Sequence, residues 1–364
     1  VTLAASIAAT TRQLCYRVFI NGVLILPADP TSTTGVPGIS RIVVDKMSPV
    51  PVCSIDVNRI STWVKRGGRV TVQMGYDGFY QIVFTGTVQD RSRGLGAGTI
   101  NCMGESFKIE RGIEIPERNV DGLDVSEAIL DIMDYVGVTS NIVAIPAFTM
   151  GTASNPVLDR MTSSAMLELL MGIDGCKRME AGNGRIYVSP VDEIPSSSAF
   201  MSYGTATAAG IIAGETREDP NYFRNRVIVT GATVTEGVAP DETSRTITAT
   251  ATVVDSPLAQ PALPSGTFID AEYSNHLIDT DAKAVEVAGR LATQFARVPQ
   301  YTPVTVPLNP LLELWQTLGF VIPDLDLDGR FFVSGLRHTI DNRAAQTELM
   351  LRGGDELGGT VNIN

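Results

Sequence analysis

Asp324-Leu325-Asp326-Leu327-Asp328-Gly329 comes closest to a chemical motif in this chain, because D-x-D-x-D-G opens a calcium-binding loop. Such a loop needs a bidentate Glu at its twelfth position, and Gly335 stands there. Leu325 and Leu327 alternate like a strand entering a turn, so Asp328-Gly329 is expected to turn a hairpin and no metal is expected. Glu105, Glu110, Glu114 and Glu117 are a second candidate, since two carboxyls about 5–9.5 Å apart can cleave a glycosidic bond. With only 6% aromatic residues to stack against sugars, this acidic run reads more simply as a solvated face, and a glycan hydrolase is the alternative reading. The two histidines, His276 in a polar loop and His338 in a strand, have no companion at metal-ligand spacing. No nucleophile elbow is present, and no Lys follows a Gly as a phosphate-binding loop requires. Gly94-x-Gly96-x-Gly98 misses the dinucleotide spacing and sits inside a hairpin. The four cysteines, Cys15, Cys53, Cys102 and Cys176, form no C-x-x-C pair and lie in apolar or strand-like surroundings, so buried, reduced thiols are expected. No catalytic, cofactor-binding or metal-binding residue is expected.

The whole-chain balance leads away from nucleic-acid recognition. Over 364 residues the net charge is −12, whereas a phosphate-binding surface needs an excess of Lys and Arg. An acidic wall would instead let DNA pass without sticking. The length suggests two or three domains, and a hydrophobic content of 44% is enough to build their cores. No segment reads as a membrane span or a signal peptide; the apolar opening Val1 to Ala9 is short, lacks a basic flank, and is expected to pack on a neighbour.

Short alternating strands dominate the pattern. Cys15 to Leu26 alternates around Asn21-Gly22, a hairpin signal, and residues 28–38 read as a loop. Strands follow at Ile39–Asp45, Val50–Asn58, Gly68–Met74, Tyr80–Asp90 and Thr99–Gly104, enough to close a small barrel over residues 15–114 behind an N-terminal arm, 1–14. An α+β insert is expected over 115–194. In it a helix begins at Asp124, with Glu127 placed for a capping box, and stops at Gly137. A second helix runs about Ser163–Met171, and a hairpin turns at Asn183-Gly184. Residues 195–224 are expected to be a connector. A second β module over 225–354 has strands at Arg226–Thr230, Thr246–Val254, Thr302–Pro307, Leu318–Pro323, Arg330–Ile340 and Thr347–Leu351. Its one helix, about Asp281–Arg297, presents Val285, Ala288, Leu291, Ala292 and Phe295 on one face. The Gly-rich end, 355–364, is expected to be a tail that is mobile unless a partner orders it.

The two β modules carry related endings. Gly86 to Gly104 and Gly335 to Gly353 overlay without a gap, and each follows an Asp-Gly pair, Asp77-Gly78 or Asp328-Gly329. Ile100 and Cys102 share one strand face, as do Leu349 and Leu351. A duplicated module lets an oligomer imitate twice its true symmetry, which concerns assembly rather than catalysis.

A family resemblance rests on particular runs. Val64-Lys65-Arg66-Gly67-Gly68-Arg69-Val70-Thr71-Val72, Gly75-Tyr76-Asp77-Gly78 and Val83-Phe84-Thr85-Gly86-Thr87-Val88 resemble the tail hub (baseplate hub) proteins of tailed bacteriophages. So do Phe332 to Asp341, Gln346 to Leu349, and the hairpin Asn183 to Val188. The resemblance implies a mainly β fold: two tail-tube-like β-barrel domains separated by a small α+β domain. It implies a homotrimer forming a pseudo-sixfold ring at the virion tail tip, assembled in the host cytoplasm. The ring would join a sixfold tail tube or distal tail ring to a threefold fibre or spike. The tape measure protein is a further implied neighbour, and DNA would traverse the lumen unbound. A spike base of a contractile injection system would share this architecture.

Overall fold

The computed structural model describes residues 13–25, 38–58, 60, 64–94, 97–139, 141–151, 157–190, 196, 198–204, 210–215, 217–218, 224–237, 242–254, 268–295, 300–323, 327–341, 344–353 and 360–363. The expected N-terminal arm up to residue 12 lies outside them, as do Asp324, Leu325 and Asp326 of the calcium-like run.

The first module contains β1 (Leu14–Ile20), β2 (Val23–Ile25), β3 (Ile39–Asp45), β4 (Val52–Val57), β5 (Arg69–Tyr76), β6 (Phe79–Gly94) and β7 (Ala97–Gly104). Their spatial order is β2-β1-β5-β6-β7-β4-β3. Both tight turns use the positive φ that a right-twisted hairpin demands: Asn21-Gly22 at 51° and 79°, Asp77-Gly78 at 54° and 83°. Alternation sends Val18, Ile20, Ile42, Val44, Cys53, Ile55, Val70, Val72, Ile100 and Cys102 into one core. The sheet curls enough for the Tyr16 hydroxyl on β1 to donate to the Ile39 carbonyl on β3, 3.3 Å away.

The middle region contains α1 (Phe107–Glu110), β8 (Glu114–Ile115), β9 (Arg118–Asn119), α2 (Val125–Tyr135), β10 (Asn141–Val143), β11 (Val157–Leu158), β12 (Met161–Thr162), α3 (Ser163–Gly172), β13 (Cys176–Glu180) and β14 (Ile186–Pro190). Asp124 caps α2 by accepting from Ser126 N at 2.9 Å, a cap worth about 1 kcal/mol. Val125, Ile129, Ile132 and Met133 then pack against Met166, Leu167 and Leu170 of α3.

Past residue 195 the chain departs from expectation. The supposed connector supplies three strands, β15 (Met201–Gly204), β16 (Ala213–Gly214) and β17 (Arg217–Glu218). Next come β18 (Arg226–Glu236), β19 (Thr243–Val254), β20 (Asp270–Ser274) and α4 (Asp281–Phe295). The chain closes with β21 (Gln300–Pro307), β22 (Thr317–Ile322), β23 (Leu327–Asp341), β24 (Ala345–Arg352) and β25 (Thr360–Ile363). Residues 225–354 therefore hold two cores rather than one. β18 to β20 and α4 enclose Val227, Val229, Ile247, Ala251, Val287, Ala288 and Ala292. β21 to β24 enclose Val304, Val306, Leu318, Phe320, Val333, Leu349 and Leu351. Val285, expected on the inner face of α4, is 38% exposed; Ala284 and Val287 take that face. The C-terminal end is not wholly a tail: Thr360–Ile363 alternates in sequence and pairs with β19. Asp328-Gly329 turns no hairpin, because both residues lie inside β23, opposite Val321 and Phe320.

Candidate assembly surfaces

The two halves repeat one another over five strands. β4-β7-β6-β5 and β21-β24-β23-β22 run in the same spatial order and the same chain order, all antiparallel. β3, beside β4, corresponds to the interrupted strand β16–β17, beside β21. Pairing registers set Val52 against Tyr301, Met103 against Arg352 and Asp45 against Arg217. Both long strands bulge at matching points, at Gln89 between Val88 and Asp90, and at Ser334 between Val333 and Gly335. Just before each bulge a backbone bridge recurs. Gly67 N donates to Val88 O and Val88 N to Gly68 O (2.8 and 2.9 Å); Trp315 N donates to Val333 O and Val333 N to Gln316 O (2.9 and 2.9 Å). Gly67 and Trp315 both adopt the left-handed region, at φ 79° and 68°. A bulky residue enters that region only when surrounding bonds hold it there, so Trp315 preserves a conformation that Gly67 takes without cost.

The bulges also correct the ungapped overlay. It sets Gln89 against His338, whereas the structural counterpart is Ser334, four residues earlier. The β7–β24 and β4–β21 overlays keep the original spacing; β5–β22 is displaced by one residue, Arg69 against Thr317, and β6–β23 by four.

Within the subunit the halves join edge to edge. β3 pairs with the C-terminal part of β23, from Arg337↔Asp45 to Asp341↔Arg41, and makes one sheet of fourteen strands among the described residues. Arg337 forks onto Asp45 Oδ2 at 2.6 and 2.8 Å and reaches Glu348 at 3.2 Å. Beneath this seam Lys46, 1% exposed, donates to Glu313 at 2.6 Å, and Glu313 Oε1 accepts from Gly182 N at 3.1 Å. One ion pair, with its lysine buried and its carboxylate partly exposed, thus ties the first half, the second half and the middle hairpin. His338, fully buried beside it, faces Thr347 Oγ1 at 2.9 Å. Burial first, and the charge of Lys46 second, push its imidazole down to about 3, so it is a neutral core group.

The middle region is held by two further buried carboxylates. Glu180 accepts from Glu105 N and Ser106 N at 2.9 and 2.8 Å, and burial raises its pKa. A Cβ on Gly104 would collide with that carboxylate, which gives the glycine ending the first repeat a packing reason. Asp174 receives Lys283 of α4, whose ammonium also lies over the Phe148 ring at 4.8 Å.

The residues singled out for chemistry are dispersed. Glu105 pairs with Lys108 at 2.6 Å, Glu110 with Arg178, and Glu114 with Arg160 at 2.6 Å, so three carboxylates of the acidic run are engaged by neighbouring cations. His276 is exposed and His338 lies in the seam. All four cysteines are free thiols; Cys53 and Cys102 are direct cross-strand partners in the first core. Among the described residues no group of His, Cys, Asp and Glu is placed to hold a metal ion, and no helix is long and apolar enough to cross a membrane. Sequence reasoning missed Lys46 and Glu313, whose partnership spans the chain and leaves no local signal.

No protein-family profile matches the chain, and no curated protein is similar to it. Solved structures are similar across nearly the whole length. The tail protein of Neisseria meningitidis MC58 superposes with a TM-score of 0.63 at 16% identity, covering 95% of this chain and 98% of that one. The 43 kDa tail protein of prophage MuSo2 from Shewanella oneidensis gives 0.60 at 12%, covering 93% and 98%. An Escherichia coli component of the type VI secretion system, described as structurally similar to phage T4 tail proteins gp27 and gp5, gives 0.51 at 7%, covering 94% and 78%. The chain has the mainly β fold of these tail proteins.

Proposed function

We propose that this protein is a structural hub of a phage tail tip. Three copies form a ring in which two like modules per subunit give six similar positions around a channel. One face meets a sixfold tail tube or distal tail ring, and the other a threefold fibre or spike; the tape measure protein is a further neighbour. The observation that carries this reading is the five-strand repeat, with matching bulges and matching left-handed residues at Gly67 and Trp315. Near-equivalent edges six times around one axis are what docking onto a sixfold neighbour requires, while the heterologous contacts between subunits close the ring.

The repeat also suggests a division of the chain. The first barrel-like half runs to about Gly104 and the α+β domain from about Glu105 to Pro190. The second half comprises 201–218 with 300–352, and the helix-bearing sheet of 224–295 is inserted into it. The net charge of −12 suits a channel that DNA crosses without binding. Assembly would take place in the host cytoplasm before incorporation into the virion. Native mass and electron imaging of the purified protein test the reading: a threefold ring with a central channel is expected, and a stable monomer at micromolar concentration refutes it.

A second reading, the spike base of a contractile injection machine, is favoured by the likeness to the Escherichia coli secretion component. Co-purification from the native source separates the two, since a phage hub travels with virion proteins.

A further inference from the structure

The seam inside the subunit has a counterpart with an open side. By the registers above, β3 corresponds to β16–β17 and the C-terminal part of β23 to that of β6. β3 and β23 are bonded to each other in the same chain. Their counterparts are not: among the described residues β16 and β17 pair only with β21, and no strand pairs with Asp90–Gly94 except β7. The backbone is oriented for a partner. Glu215 N donates inward to Pro303 O at 3.0 Å, so alternation turns the Glu218 amide away from β21. Its counterpart, Lys46 N, points the same way and donates to Leu336 O at 2.8 Å. The counterpart of Leu336 is Arg91.

We propose that a second copy of this chain completes the open seam, with β16–β17 of one subunit adding antiparallel to the C-terminal part of β6 in the next. The proposal rests on the hub reading and names its subunit interface. The internal register transfers directly: Glu218 N donates to Arg91 O, Arg217 lies opposite Ser92, and Glu215 lies opposite Gly94. Arg217 and Ser92 then form a non-hydrogen-bonded pair, the closer kind, with Cα atoms about 4.5 Å apart. The occupant is a second copy because the pairing repeats, position for position, one the chain already makes with itself. Such an edge, left uncovered, is also a strand-addition hazard that a soluble protein has reason to close.

Disulfide trapping tests the register. Ser92→Cys and Arg217→Cys are introduced singly and together, mildly oxidised, and run denatured without reductant, with native mass recorded for each sample. The double variant should give covalent species up to the ring number and none beyond it. An equimolar mixture of the two single variants should give dimers only, and each single variant alone should stay monomeric. A Ser92→Cys, Glu215→Cys variant reports a slipped register and should cross-link at least tenfold less. Rings by native mass without the 92–217 cross-link overturn the proposal and leave the hub reading intact. Native monomers in every sample overturn both. Should oxidation distort the edge, Glu218→Pro gives a second readout: removal of one outward amide should weaken ring assembly at least tenfold, and unchanged assembly overturns the proposal.

Discussion

Removing the partners of the Lys46–Glu313 pair should cost unequal amounts, and the inequality follows from their burial. The two atoms are 2.6 Å apart, but Lys46 is 1% exposed and Glu313 21%. A gross attraction of about 6 kcal/mol at an effective dielectric of 20 is largely offset by desolvation. What remains is the asymmetry of breaking the pair. Glu313→Gln strands an ammonium that no water reaches, which should cost about 4 kcal/mol. Lys46→Met strands a carboxylate that still meets solvent and keeps the Gly182 amide at 3.1 Å, so about 2 kcal/mol is expected. Combining both removes the stranded charge and should cost about 2 kcal/mol, a coupling of about 4 kcal/mol between the sites. Urea unfolding followed by tryptophan fluorescence measures this, because Trp315 sits two residues from Glu313. Equal single-variant costs, a larger cost for Lys46→Met, or strict additivity would each refute the reasoning.

Acid stability should carry the mark of His338. Its native pKa, about 3, lies below the ordinary 6.5, so the folded state binds fewer protons. Its contribution is full above about pH 6.5 and is lost as pH falls toward 3, at up to about 1.4 kcal/mol per pH unit; His338→Gln should flatten that slope in unfolding midpoints taken from pH 7 to 4. Gly104→Ala forces the Glu180 carboxylate off two backbone amides and should destabilise by about 2–3 kcal/mol in the same assay, while Gly112→Ala, with open space around its Cβ position, should cost only its positive-φ strain of about 1 kcal/mol. Burial pushes Cys102 up to about 12 and Cys53 well above the ordinary thiol value. At pH 8 iodoacetamide should therefore spare both in folded protein and modify both in urea; peptide mass mapping that finds either alkylated first would contradict the core assignment.

The elements that rest on local chemistry were legible from residue order. Asn21-Gly22 and Asn183-Gly184 turn hairpins, Asp124 caps a helix, and the Ile100/Cys102 and Leu349/Leu351 faces point inward as their alternation implies. What escaped depends on distant partners. β3 meets β23 across most of the chain, and nothing near Asp45 announces Arg337. β16 and β17 are two residues each, too short for any period to register, and β21 holds them in place. Asp328-Gly329 has a strong turn composition, yet pairing with β22 draws it into a strand. The repeat was visible in strands that kept their spacing; in β6 and β23 hairpins of different length displaced the match by four residues. The candidate interface was the least legible part, because backbone edges carry no side-chain signature.

The step from β3 to β4 is a short link, residues 46–51, while the corresponding step from β17 to β21 spans 219–299 and holds three strands and the helix of a sheet that β25 completes. In a circle of three such subunits the scaffold would look alike at every sixty degrees, yet only alternate stations would bear this extra mass. The same object would then offer uniform spacing to one neighbour and a three-pronged outline to another, with the change of symmetry carried by this inserted passage together with the middle region, which also occurs once per subunit.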